Sequence, residues 1–204
     1  MTPFTLIRAA VFVAALVPAA ALAYGLYGLL SGSDINALTA NPGDYITDQT
    51  GTWALAFLFI SLTITPIRRL TGWNQIIKLR RMLGLFSFFY ATLHLTTWVV
   101  FIHFFDVGFM VEDVVKRRFI TMGMATFVML LALALTSNRF AVRKLGRKWQ
   151  TLHRLAYVAA ITAVIHFWWL VKQDITEPRR WAFGLAGLLG LRVWWAYRKR
   201  SSRA

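Results

Sequence analysis

No cysteine occurs among the 204 residues, which removes disulfides, iron–sulfur clusters and thiolate metal sites from consideration. Acidic residues are also scarce, with eight Asp and Glu against 23 Lys and Arg. Only 15% of the chain is charged, where soluble domains carry roughly a quarter. There is no Walker loop, no His-Glu-x-x-His and no dinucleotide fingerprint after a strand, so the usual local signatures of nucleotide and zinc-hydrolase chemistry are missing. Four histidines are present. Any metal chemistry must draw on them or on oxygen ligands.

What fills the chain instead is apolar sequence, 58% of all residues. Six runs approach the roughly 20 residues that a membrane helix needs. They cover approximately residues 9–30, 51–67, 83–105, 119–136, 155–171 and 181–197. A bare backbone cannot be satisfied in lipid, so such runs are expected to be helical. The fold class that follows is an all-α integral membrane protein, a single six-transmembrane-helix bundle over residues 1–204. Pro18 and Pro66 fall inside the first and second runs and are expected to kink or end their helices. No carboxylate falls inside the runs, and no internal repeat stands out.

The connections alternate in charge. The first (31–50) holds Asp34, Asp44 and Asp48 without a base, and the second (68–82) holds Arg68, Arg69, Lys78, Arg80 and Arg81 without an acid. The third and fifth are mixed. The fourth (137–154) and the tail, with Arg198, Lys199, Arg200 and Arg203, are basic only. The positive-inside rule therefore puts the second and fourth connections and both termini in the cytoplasm. The net charge of +15 reads as this topology signal, with anionic lipid as a secondary partner and no nucleic acid. Arg8 and Ala21-Leu22-Ala23 imitate a cleavable leader, but the apolar run continues to Leu30, so a retained first helix is expected. Trp53, Trp73, Trp149, Trp181, Trp194 and Trp195 sit near run ends, as an interfacial aromatic belt would.

The histidines carry the chemistry. His94 lies in the third run and His166 in the fifth. His94 is about 16–17 Å past Leu83 and His166 about 18 Å past Arg154, at 1.5 Å per residue. The two can sit at matching depth on different helices, as two imidazoles flanking a planar macrocycle would. Ionisable residues at bilayer depth are costly and tend to be functional. The alternative is a neutral histidine bonded to a neighbouring carbonyl or hydroxyl. His153 stands at the cytoplasmic start of the fifth run, about 20 Å from His166 on a straight helix. His103, nine residues past His94, points to the opposite side and is expected to face lipid, a headgroup or another helix, outside the site.

Several segments carry a resemblance. Arg80-Arg81-Met82-Leu83-Gly84-Leu85 followed by Ala91-Thr92-Leu93-His94-Leu95-Thr96 resembles the third-helix signature of the MsrQ (YedZ) family. Leu62-Thr63-Ile64-Thr65-Pro66, Leu133-Ala134-Leu135-Thr136-Ser137 and the segment from Lys144 to His153 are similar too, in the same order. The resemblance implies a ferric-reductase-like transmembrane domain in the bacterial inner membrane that binds haem b. It implies electron transfer from the quinone pool, or from a cytosolic flavin reductase, to MsrP, a periplasmic molybdopterin enzyme that reduces methionine sulfoxide. The reductase active site would then lie on that partner. Carried over by motif, the haem-linked histidines fall on His94, His153 and His166. One haem between His94 and His166 is the first expectation, a second haem involving His153 the alternative, and FMN an additional cofactor of some members. Two readings from other classes stand beside it: a small transporter or metal permease with histidines lining its path, and a structural assembly subunit.

Overall fold

The computed structural model describes residues 3–34 and 38–201; Arg203, part of the basic tail, lies outside them. In chain order the helices are α1 (Pro3–Leu30), α2 (Pro42–Thr71), α3 (Ile77–Thr97), α4 (Val107–Lys116), α5 (Arg118–Leu135), α6 (Arg139–Leu145), α7 (Arg147–Leu152), α8 (Leu155–Leu170) and α9 (Thr176–Ser201). α1, α2, α3, α5, α8 and α9 correspond to the six apolar runs. α1, α2, α5 and the stretch Asn74–Ile102 built on α3 are long and apolar enough to cross a membrane by length and composition. The chain is thus a helical membrane protein.

The second helix starts well before its apolar run. The Asn41 side chain accepts from the Asp44 N–H, and Pro42 occupies the first turn, where a missing N–H costs nothing. Gly72, at φ +72°, closes the other end in the left-handed region. The expected start at Gly51 is therefore corrected to Pro42. A hydropathy window passes over a polar first turn, while the Asn-Pro start signal does not depend on hydropathy. Asp44 and Asp48, expected in a loop, are consequently helical.

Both prolines lie inside continuous helices. Pro66 has no N–H to give to Leu62, four residues back, and the Leu62 carbonyl instead accepts from Arg192 Nη2 of α9 at 2.6 Å. Near Pro18, the Tyr90 hydroxyl of α3 enters the α1 ladder. It donates to the Ala15 carbonyl at 2.7 Å and accepts from the Ala19 N–H at 3.1 Å. Freed backbone groups are thus satisfied by side chains of neighbouring helices, as apolar surroundings require.

Cross-helix contacts fix the directions. α2 and α3 run antiparallel, tied by Ser87 Oγ to the Ala54 carbonyl at 2.9 Å and Ser61 Oγ to the Arg80 carbonyl at 3.0 Å. α5 and α8 form a second antiparallel pair, joined by the Thr126–Thr162 hydroxyl bond at 2.7 Å. Small residues allow the close approach: Ala159 and Ala160 are fully buried among Leu55, Leu58, Leu130 and Val164. A second apolar cluster joins α1 to the first pair through Phe57, Phe86 and Tyr90.

The connections are structured as well. After α3 a π-helical turn (Trp98–Ile102) is followed by Phe104 and Phe105 at φ 48° and 63°, and α4 then begins with Asp106 as its cap. Several of the tryptophans are packing residues rather than a belt. Trp149 donates to the Thr136 carbonyl at 2.9 Å, Trp181 meets Phe59 edge-on, and Trp53 lies against Phe57 and Tyr90.

Candidate metal centre

His94 on α3 and His166 on α8 face each other, with ring centroids 6.2 Å apart and planes at 77°. Each ring is oriented the same way. His94 Nδ1 bonds the Thr47 carbonyl at 2.7 Å, and His166 Nδ1 bonds the Phe119 carbonyl at 2.6 Å. A carbonyl only accepts, so each Nδ1 carries the proton and each neutral ring keeps its lone pair on Nε2. This is the arrangement by which ligating histidines are usually held.

The separation suits one metal between the rings. A metal–imidazole bond is about 2.0–2.1 Å, so two rings on opposite sides of one ion have centres about 6 Å apart. Among the described residues no group of three His, Cys, Asp or Glu could hold a metal ion. The pair therefore fits a metal whose other ligands arrive with it, as in a macrocycle.

Space around the rings is made by glycine. A Cβ on Gly51 would lie 3.0 Å from His94 Cε1 and Nδ1, and one on Gly123 would lie 2.9 Å from the same atoms of His166. The two half-sites are repeats. Thr47, Gly51 and His94 recur as Phe119, Gly123 and His166, each 72 positions later (166 minus 94). The absence of a repeat is thus corrected at the level of structure: the α2–α3 and α5–α8 pairs present their histidines in the same way.

The rings border a cavity of about 420 Å³. Its walls are mainly apolar, including Leu55, Leu58, Phe127 and Leu130, and Asp44, Asp48, Asp113 and Arg117 also line it. The expectation that no carboxylate lies within the helical spans is overturned by the early start of α2. The glycines, the two accepting carbonyls and the place of these acids beside the rings are not visible in the sequence. The only available signal was the doubled Gly-to-His interval.

The other histidines lie elsewhere. His153 sits between α7 and α8, not on a straight extension of α8. Its ring stacks on Trp149 at 3.9 Å, and Nε2 meets Thr136 Oγ1 at 3.3 Å. Burial, with the nearby Arg80 and Arg81 charges, holds its pKa below the ordinary value despite an opposing bond at Thr136. No second imidazole among the described residues faces it. His103 packs on Trp98 at 4.3 Å, and its Nε2 lies 3.1 Å from Asp113 of α4 in a contact not aligned as a hydrogen bond. It contacts another helix, one of the three surroundings expected for it.

Residues 50–164, more than half the chain, match the family described as ferric reductase like transmembrane component. That defines the class. Curated relatives narrow it. A protein-methionine-sulfoxide reductase heme-binding subunit MsrQ from Herminiimonas arsenicoxydans is 50% identical over 200 residues, 97% of this chain and 88% of the relative. Proteins of the same name from Ralstonia nicotianae and Bordetella pertussis are 46% and 45% identical, covering 94% of this chain and 87% and 92% of their own lengths. The chain belongs to the MsrQ family. No solved structure matches it.

Proposed function

We propose that the chain is the haem-binding electron-transfer subunit of a protein-methionine-sulfoxide reductase system, with His94 and His166 as the axial ligands of one haem b. The observation that carries this is the 6.2 Å imidazole pair, each ring fixed through Nδ1 to a helix carbonyl. Relatives named as heme-binding subunits support the same reading.

The haem supplies the one-electron chemistry. The protein brings the two imidazoles to 6.2 Å, fixes the Nδ1–H tautomer of each through its carbonyl partner so that Nε2 is free to ligate, and lines the cavity with apolar side chains that would tune the potential. Gly51 and Gly123 leave room for both rings. His153 is a positioning or relay residue in this reading rather than a ligand, because it stacks on Trp149 and lacks a facing imidazole.

Six spans with both termini in the cytoplasm, in a bacterial inner membrane, complete the proposal. The concentration of Lys and Arg in the second and fourth connections and the tail supports it. The acceptor is then MsrP on the periplasmic side and the donor the quinone pool. A cytosolic flavin reductase with FMN is the alternative donor, and flavin fluorescence of the purified chain separates the two.

The test is a reduced-minus-oxidised spectrum with haem quantification. Wild type should show a Soret band that shifts on reduction, and His94→Ala or His166→Ala should abolish it along with electron delivery to MsrP. A wild-type chain without the band, or variants that retain it, would sink the assignment. The permease alternative predicts substrate flux and no chromophore.

A further inference from the structure

Arg192 lies within α9 and is not paired with a carboxylate. Its Nη2 bonds the Leu62 carbonyl at 2.6 Å and its Nη1 the Tyr157 hydroxyl at 2.7 Å. Its Nε is buried without a partner among the described residues. Arg69 and Arg80 are charged neighbours of the same sign. Arg69 stacks over Trp195 at 4.9 Å. The position of Arg69 at the C-terminus of α2 is accounted for by the helix dipole. Arg192 is half-buried; its guanidinium also lies over the Tyr157 ring at 4.8 Å, which eases that burial but supplies no counter-charge among the described residues.

Arg69 and Arg192 border a pocket of about 550 Å³. None of its lining residues is acidic, and one wall is apolar, formed by Leu189, Val193 and Ala196 of α9. Val193 is 69% exposed, so this wall opens onto the outer face of α9. The pocket therefore combines a cationic end with an apolar flank. The Pro66 vacancy keeps the Arg192 fork in place by leaving it the Leu62 carbonyl.

We propose that this pocket binds the phosphate of an anionic membrane lipid, with an acyl chain along the apolar face of α9. The Arg69 guanidinium and the second N–H of each Arg192 Nη group are the donors to the phosphate, a geometry arginine suits. A lipid whose headgroup carries its own ammonium is disfavoured, because that cation would sit beside two arginines with no carboxylate among the lining residues to receive it. Phosphatidylglycerol meets the requirement and phosphatidylcholine does not. A lipid is preferred over a soluble phosphate because the flank is apolar and exposed.

The experiment uses the full haem-loaded chain in mixed micelles containing equal phosphatidylglycerol and phosphatidylcholine, with retained lipid read by native mass spectrometry. Wild type should retain phosphatidylglycerol over phosphatidylcholine by about tenfold, the effect of roughly one charge-assisted bond. Arg192→Gln should bring the ratio near one, and Arg69→Gln, at an exposed helix end, should lower it severalfold. Arg147→Gln, an exposed base outside the pocket, should leave it unchanged. Soret intensity and helical content report whether each variant is folded; if Arg192→Gln is not, Arg69→Gln decides. An unchanged ratio in folded Arg192→Gln or in Arg69→Gln, or an equal fall in Arg147→Gln, overturns the site. Displacement of phosphatidylglycerol by millimolar inorganic phosphate overturns the lipid as its occupant.

Discussion

Gly123 lies beneath His166 so closely that a Cβ on it would stand 2.9 Å from the imidazole. Gly51 has the same relation to His94 at 3.0 Å. Contacts under 3 Å force a shift, and the bond from each Nδ1 to its carbonyl restricts how the ring can move. Gly123→Ala and Gly51→Ala should therefore lower bound haem or alter the Soret maximum while leaving helical content intact. Haem-to-protein ratio and the oxidised spectrum measure it. Unchanged spectra in both variants would show that the rings can move freely.

His103→Ala should behave differently. The ring joins the end of α3 to Asp113 of α4 and does not reach the facing pair. The variant should keep its haem spectrum and lose up to about 1 kcal/mol of local stability, since Asp113 keeps its Arg117 partner. Faster limited proteolysis around residues 104–117, with the Soret band unaltered, is the expected outcome. Loss of haem would instead place His103 in the site.

Tyr90→Phe deletes a hydroxyl that fills a gap between the Ala15 carbonyl and the Ala19 N–H. Two buried backbone groups lose their partner, at a cost of about 1–3 kcal/mol. A lower thermal midpoint in detergent and weaker cross-linking between α1 and α3 should follow. An unaltered midpoint would mean that α1 closes its own ladder at this point.

Pro66→Ala returns an N–H donor to the helix, opposite the Leu62 carbonyl that Arg192 now uses. The two donors compete, so Arg192 should loosen. The phosphatidylglycerol preference should fall with every charge retained. Stability should change little, since one backbone bond replaces one side-chain bond.

Much of the candidate site is legible in the sequence. His94 and His166 were paired from depth alone, because apolar helices have a fixed rise and two spans running the same way can be measured from their basic ends. The six runs likewise became the six long helices. Depth gives no azimuth, however, so the carbonyls of Thr47 and Phe119 and the glycines beneath the rings were out of reach. Asp44 and Asp48 were misplaced because a capped polar first turn carries no hydropathy. Arg192 is not singled out by the sequence, because its neighbours along the chain are apolar and its contacts come from Leu62 and Tyr157, distant in sequence. His153 was measured along a straight helix, whereas the chain turns at the end of α7.

The proposed centre would take one imidazole from each of two repeated helical pairs. Neither pair could complete it alone, so filling the site would also latch the halves together. Ligand binding to the folded state alone adds to stability by mass action. Copies that never acquire the prosthetic group should have looser halves, open more often, and be the ones that membrane proteases clear. Cellular abundance of the chain would then follow haem supply, even at constant synthesis.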